Sequence, residues 1–140
     1  MDTPDPSAPA RPTLAFIYDR CSTVATAALE VRIERCRRYA VEHGWVLAGE
    51  WVDRGDHALS CDRRPQWDGM TYVIRQAAAP AVCLVESWDR ISREQTARTI
   101  LQLAVHQARG YCVTAAGEDD RDLGHGRITV AAPVALRGRP

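Results

Sequence analysis

The sequence contains no lysine: all 18 of its Lys and Arg positions are arginines, and 18 Asp and Glu residues balance them to a formal net charge of zero. An overall basic field, the usual mark of a non-specific nucleic-acid binder, is therefore excluded. Genomic base composition can explain the arginine bias without any function, and we favour that explanation. The alternative is that planar guanidinium groups suit phosphate recognition better than ammonium groups. Composition alone does not separate the two.

The marks of secreted and membrane proteins are also missing. The cysteines are odd in number and widely spaced, with no C-x-x-C pair, which predicts reduced thiols in a cytosolic protein. Residues 1–12 carry four prolines but neither the basic nor the apolar part of a signal peptide, and no apolar run approaches the length of a membrane span. We therefore expect a cytoplasmic protein without membrane contact. The cysteines are Cys21, Cys36, Cys61, Cys83 and Cys112.

Apolar runs typical of buried strands alternate with segments of helical periodicity along the 140 residues. This alternation predicts an α/β fold, with a mostly parallel sheet of four to five strands and helices on both faces. The run 81–85 has no polar alternation, as expected of a central strand covered on both sides. The predicted strands are 13–18, 45–52, 81–85 and 111–115.

Three helices are predicted between and after these strands. The first carries an apolar stripe at steps of three and four residues. The second begins near Pro65 and ends before Pro80, and the third runs over 93–108 with Ile100, Leu101 and Ala104 facing inward. The stripe of the first helix is Leu29, Ile33, Cys36 and Ala40. We expect a disordered leader at 1–12, one domain at 13–117 and an irregular tail at 118–140.

Three arginine-bearing turns follow strands or open helices. Tyr18-Asp19-Arg20-Cys21-Ser22 ends the first strand, Arg63-Arg64-Pro65 precedes the second helix, and Trp88-Asp89-Arg90-Ile91-Ser92-Arg93 follows the third strand. Taken singly, each has an ordinary explanation as a helix cap, a solvated loop or a surface ion-pair group. Strand ends of an open α/β sheet share one rim, so together the turns predict a hydroxyl surrounded by guanidinium groups. Such a group of side chains suits attack on a phosphodiester.

At these turns the chain resembles the catalytic domain of the serine recombinases, the resolvase and invertase family. Four separate segments match the family in order, over about residues 13–117: the three turns and the stretch that contains the first helix and the second strand. The resemblance implies a three-layer resolvase-like fold. The matching positions are Tyr18, Arg20 and Ser22 for the motif Y-x-R-x-S, Arg64 and Pro65 for the loop before the second helix, and Asp89, Arg90 and Arg93 for the motif D-R-x-x-R.

The resemblance implies phosphoryl transfer without a metal or cofactor. Ser22 would attack a DNA phosphodiester, form a 5′-phosphoserine link and free a 3′-hydroxyl; reversal would reseal recombined strands. Asp89 would orient the arginines or shuttle a proton. A dense guanidinium shell can activate a serine hydroxyl without a histidine base, and none of the four histidines stands at a motif position. The implied phosphate ligands are Arg20, Arg64, Arg90 and Arg93, and the candidate DNA contacts are Arg63 and Arg32.

The sequence departs from the family pattern in two regions. Arg32 stands where the family often has glutamine, and one extra residue separates Ser22 from Leu29. Family members continue into a long dimerisation helix and a DNA-binding module, but only thirteen residues follow Arg127 here, Pro133 among them. We therefore expect a truncated remnant of that helix and no DNA-binding part.

Three hypotheses follow. The first is a serine recombinase for DNA recombination that is truncated or depends on a DNA-binding partner, acting as a homodimer or tetramer. The second is a non-catalytic remnant or regulatory module that keeps the fold. The third is an unrelated α/β phosphate- or nucleotide-binding protein, and the absence of a glycine-rich phosphate loop counts against it. Intact Ser22 and all four arginines favour the first hypothesis over the second.

Overall fold

A computed structural model describes residues 11–22, 27–55 and 64–125. The strands in these residues are β1 Leu14–Cys21, β2 Val46–Arg54, β3 Ala81–Val85 and β4 Tyr111–Thr114, and the helices of three or more turns are α1 Ala27–Glu42, α2 Pro65–Gln76 and α3 Gln95–Gln107. The strands form one sheet in the order β2–β1–β3–β4, and every neighbouring pair is parallel. The predicted α/β fold is confirmed.

β1 is longer than the apolar run that predicts it. Its parallel pairing with β2 continues to the pairs Arg20–Asp53 and Cys21–Arg54, beyond the last residue paired with β3. The polar residues after Tyr18 thus remain in strand geometry, with side chains alternating between the two faces of the sheet. This extension holds Arg20 on a rigid element.

Helices cover both faces of the sheet, as predicted. On one face the predicted apolar stripe of α1 is buried against Ala15 and Ile17 of β1. On the other face Phe16 and Tyr18 pack with α2 and α3. All five residues of β3 are buried, which agrees with its position inside the sheet. The residues that α2 and α3 contribute to this second core are Trp67, Met70, Ile74, Leu101 and Val105.

The inward face of α3 differs from the prediction. Ile100 is 54% exposed, whereas Leu101, Gln102 and Val105 are buried. A polar contact explains why α3 is rotated relative to the prediction. The Gln102 amide donates to Asp120 at 2.8 Å, which turns the Gln102 side of the helix toward the segment after β4. Apolarity alone could not reveal that partner.

Residues 118–125, the first part of the predicted tail, pack against α3 and β4. Asp119 forms an antiparallel bridge with Val113, and a 3-10 turn follows at Arg121–His125. The predicted leader at 1–12 and the predicted helix remnant lie mainly in 1–10 and 126–140, outside the described residues. Among the described residues, no helix has both the length and the apolarity needed to cross a bilayer.

Candidate active site

The carboxyl-terminal ends of β1 and β3 and the amino-terminal ends of α2 and α3 meet at one rim of the sheet. A cleft of about 320 Å³ opens there. Its lining contains five of the predicted site residues, since the three arginine-bearing turns all reach this rim. The lining residues are Arg20, Ser22, Arg64, Arg90, Ser92, Arg93 and Glu94.

Two hydrogen bonds from arginine side chains to backbone carbonyls cross the rim. Arg20 Nε donates to the Asp89 carbonyl oxygen at 2.9 Å, and Arg90 Nη1 donates to the Arg20 carbonyl oxygen at 3.0 Å. This exchange joins the end of β1 to the 3-10 turn Trp88–Arg90. Asp89 therefore orients Arg20 through its backbone, while its exposed side chain stands outside the lining of the cleft.

The cationic side chains are close enough to affect one another's protonation. Burial lowers the pKa of Arg20, and the charges of Arg64, Arg90 and Arg93 lower it further. Four guanidinium groups that repel one another around one space form a site for an anion, because a bound phosphate relieves that repulsion.

The Arg64 side chain forms hydrogen bonds with groups in the protein interior. Its side chain is buried, and Nη1 donates to the Ile91 carbonyl oxygen and to the Tyr18 hydroxyl, the latter at 3.3 Å. The Tyr18 hydroxyl in turn donates to Asp53 Oδ2 at 2.8 Å. Burial raises the pKa of Tyr18 well above its usual range, and the nearby Asp53 carboxylate raises it further against the opposing effect of Arg64. The phenol is therefore a neutral donor.

Asp53 also caps α2, a role that the sequence analysis missed. Its Oδ1 accepts from the Gln66 amide at 3.0 Å and its Oδ2 from the Trp67 amide at 3.1 Å. An acidic side chain at a helix N-terminus satisfies free amides and complements the helix dipole. The available signal was an aspartate at the end of a predicted strand, but nothing in the sequence names its partner helix.

Arg32 faces the other side of the sheet, on α1. Its Nε and Nη2 donate to Oδ2 and Oδ1 of Asp19 at 2.8 and 2.9 Å. Asp19 itself is 1% exposed and was not among the predicted site residues. Arg63, the other predicted DNA contact, lies outside the described residues.

The start of α3 completes the cleft. The Glu94 carboxylate accepts from the Ala97 amide at 2.7 Å and from the Thr96 amide at 3.3 Å, and the Glu94 amide donates to Ser92 Oγ at 3.1 Å. The acidic group among the described residues of the cleft, the Glu94 carboxylate, is thus bound to amides of its own helix. No three His, Cys, Asp or Glu side chains in the described part of the chain are grouped as a metal site.

The chain matches a known protein family. A sequence model described as the N-terminal domain of resolvases matches residues 15–134. The chain belongs to the resolvase family. The match includes every described residue that lines the cleft of this resolvase domain. A comparison with curated proteins finds no match.

Solved structures of serine recombinases share the fold of the resolvase domain. The N-terminal catalytic domain of TP901-1 integrase is 23% identical, with a TM-score of 0.64 over 80% of this chain and 85% of that one. A resolvase family site-specific recombinase from Streptococcus pneumoniae is 20% identical, with a TM-score of 0.64 over 80% of each chain. The C-terminal catalytic domain of ISC1926 TnpA, an IS607-like serine recombinase, is 18% identical, with a TM-score of 0.61 over 79% of this chain and 73% of that one.

Proposed function

We propose that this resolvase domain cleaves and rejoins DNA strands through a covalent bond between Ser22 and a DNA phosphate. The observation that carries the proposal is the shared cleft, in which an exposed serine hydroxyl lies with four arginines. Family membership supports DNA as the substrate, and the names of the similar structures describe recombinases.

The proposed reaction is a reversible transesterification. Ser22 Oγ attacks the phosphorus of a DNA phosphodiester, and the bond from phosphorus to the 3′ oxygen breaks. The serine proton is lost and a proton reaches the departing oxygen, which gives a 5′-phosphoserine and a free 3′-hydroxyl. Attack of a 3′-hydroxyl on the phosphoserine reseals a strand and frees Ser22. The number of phosphoester bonds is constant throughout.

The arginines have complementary roles in this proposal. Arg20, held by the Asp89 carbonyl oxygen, and Arg90, held by the Arg20 carbonyl oxygen, bind the non-bridging oxygens of the phosphate. Arg93, exposed two residues before α3, guides the DNA phosphate into the cleft, and the buried Arg64 supplies positive charge from the interior side. Preorganised donors of this kind stabilise the extra negative charge of the transition state. The exposed Asp89 carboxylate is the candidate proton carrier.

DNA recognition and oligomerisation are part of the proposal. A formal net charge of zero offers little non-specific attraction to DNA, so a further segment or a partner protein supplies the contacts that select a site. Cutting both strands of a duplex uses two serines, so the active form contains at least two copies of the chain.

Covalent trapping tests the reaction. The chain is fused to a sequence-specific DNA-binding module with a dimerising segment, and a duplex carrying paired binding sites is labelled at its 3′ ends. We expect a labelled protein–DNA adduct on a denaturing gel. Ser22→Ala should abolish the adduct, and Arg20→Ala or Arg90→Ala should slow its formation by about 10²–10³-fold, the usual cost of losing one preorganised donor.

Two control variants identify the nucleophile. Ser87→Ala removes a serine that is not among the described residues lining the cleft, and it should leave the adduct intact. Ser22→Ala/Ser92→Ala shows whether the other serine of the cleft can react. An adduct that persists in Ser22→Ala and vanishes in the double variant would transfer the role to Ser92. No adduct in any fusion would favour a non-catalytic module.

A further inference from the structure

A buried carboxylate lies behind the arginine cleft and could compete with the DNA phosphate. Asp19 is 1% exposed, and its side chain points to the face of the sheet that α1 covers. Arg32 binds both of its oxygens through a guanidinium fork. Arg90 Nη1 lies 3.9 Å from Asp19 Oδ1. The carboxylate therefore has one guanidinium group bound and a second one within reach.

Arg90 and Asp19 form an ion pair that lacks a hydrogen bond. At 3.9 Å the two atoms attract each other but are too far apart for a hydrogen bond. Arg90 Nη1 donates instead to the Arg20 carbonyl oxygen, and within the described residues the other Arg90 nitrogens have no hydrogen-bond partner. They are consequently the donors that Arg90 can offer to a ligand in the cleft.

We propose that Arg32 is a positioning residue that saturates Asp19 and so keeps Arg90 available for the scissile phosphate. This inference rests on the proposed function of the cleft. A carboxylate and a phosphate are both good acceptors for a guanidinium fork, so an unsaturated Asp19 would capture Arg90 and withdraw it from the cleft. Arg32 acts through Asp19 and Arg90, and it needs no contact with DNA.

A matched pair on the same helix provides the control. Arg37 also lies on α1, and its Nε and Nη2 donate to the two oxygens of Glu50 at 2.6 and 3.0 Å. The fork and the change of charge match those of Arg32, and Arg37 Nη1 also donates to Glu34 Oε1 at 3.4 Å. Glu50 is exposed, and neither Arg37 nor Glu50 is among the described residues that line the cleft. Arg37→Gln therefore removes an equivalent fork without exposing a carboxylate to Arg90.

Binding of inorganic phosphate to the full chain tests the proposal without requiring DNA cleavage. Arg32→Gln should weaken phosphate binding at the cleft by about 10- to 100-fold, the effect of losing a charge-assisted hydrogen bond. Asp19→Asn/Arg32→Gln should restore most of the affinity, because the competing carboxylate is gone. Arg37→Gln should bind like the wild type. The Arg90 side-chain NH signal in a two-dimensional NMR titration reports the site directly.

The double variant distinguishes positioning from direct binding. If Arg32 itself contacted phosphate, Asp19→Asn/Arg32→Gln would bind as weakly as Arg32→Gln, and the proposal would be wrong. Wild-type affinity in Arg32→Gln would also overturn it. Crystal structures add a second readout: in Arg32→Gln the Arg90 Nη1 to Asp19 Oδ1 distance should shorten to hydrogen-bond length. An unmoved Arg90 would contradict the proposal.

Stability is separated from positioning by a further variant. Urea unfolding establishes that each protein is folded at the titration temperature. Should Arg32→Gln fail to fold, Arg32→Lys keeps the charge but loses the planar fork, and it should bind phosphate with intermediate affinity; wild-type affinity would then contradict the proposal. In the trapping fusion, Arg32→Gln should slow adduct formation without changing DNA affinity. No wild-type adduct would overturn the proposed cleavage, whereas a wild-type adduct with full Arg32→Gln activity would overturn only this inference.

Discussion

Asp53→Ala should destabilise the domain and disturb the cleft at the same time. The buried carboxylate accepts three hydrogen bonds, from the amides of Gln66 and Trp67 and from the Tyr18 hydroxyl. Its removal leaves the start of α2 uncapped and a buried phenol without its acceptor. Arg64 loses the fixed orientation of Tyr18, to which it donates.

The magnitude follows from these three contacts. Replacing a capping side chain by alanine costs about 0.5–2 kcal/mol, which includes both helix amides. A buried hydroxyl left without its partner costs about 1–3 kcal/mol more. We therefore expect Asp53→Ala to lower the free energy of unfolding by about 1.5–5 kcal/mol. Domains of this size are stable by about 5–15 kcal/mol, so most of the protein should remain folded.

Urea unfolding followed by tryptophan fluorescence measures this change. Asp68→Ala is the matched control, because Asp68 lies in the first turn of the same helix but is exposed. It should cost less than about 1 kcal/mol, the range of a surface charge–dipole interaction. A loss below about 0.5 kcal/mol in Asp53→Ala, or equal losses in the two variants, would refute the assigned role of Asp53.

Two further predictions concern the core and the segment after β4. Burial raises the pKa of Cys36 to about 12 and that of Cys112 well above its usual value. Neither thiol should therefore react with iodoacetamide at pH 8 until the protein unfolds. Rapid labelling of either cysteine, detected by peptide mass mapping, would contradict this. Asp120→Ala removes the acceptor of the Gln102 amide, the His106 ring and the Cys112 amide, so hydrogen exchange at Cys112 should accelerate by at least about tenfold. An unchanged exchange rate of the Cys112 amide would refute this role of Asp120.

The fold could be predicted because its signals are local and repetitive. β3 coincides with the apolar run 81–85, and the buried residues of α1 are the four of its predicted stripe. The error at Ile100 arose where a polar residue, Gln102, points inward to a partner distant in sequence. Periodicity describes how apolar residues face a core, but it carries no information about such pairs.

The site could be predicted only in part, for a related reason. The arginines and Ser22 stand in recognisable turns at strand ends, and parallel topology brings such turns to one rim. The two carboxylates that position these arginines, Asp53 and Asp19, are not marked by any local sequence pattern. Asp53 is 11 residues before Arg64 in the sequence and connects to it through Tyr18, while Asp19 meets Arg32 only because α1 folds back over β1.

The two buried aspartates, Asp53 and Asp19, lie on opposite faces of the sheet, and both offset repulsion among the cleft arginines. Four guanidinium groups around one cleft repel one another, which by itself destabilises the folded domain. Asp53 lies on the face of α2 and acts on Arg64 through Tyr18, while Asp19 lies on the face of α1, next to Arg90. Each carboxylate adds compensating charge, and each is occupied by other donors, amides for Asp53 and Arg32 for Asp19. The buried aspartates thus offset part of the repulsion among the arginines while their own oxygens are occupied by other donors.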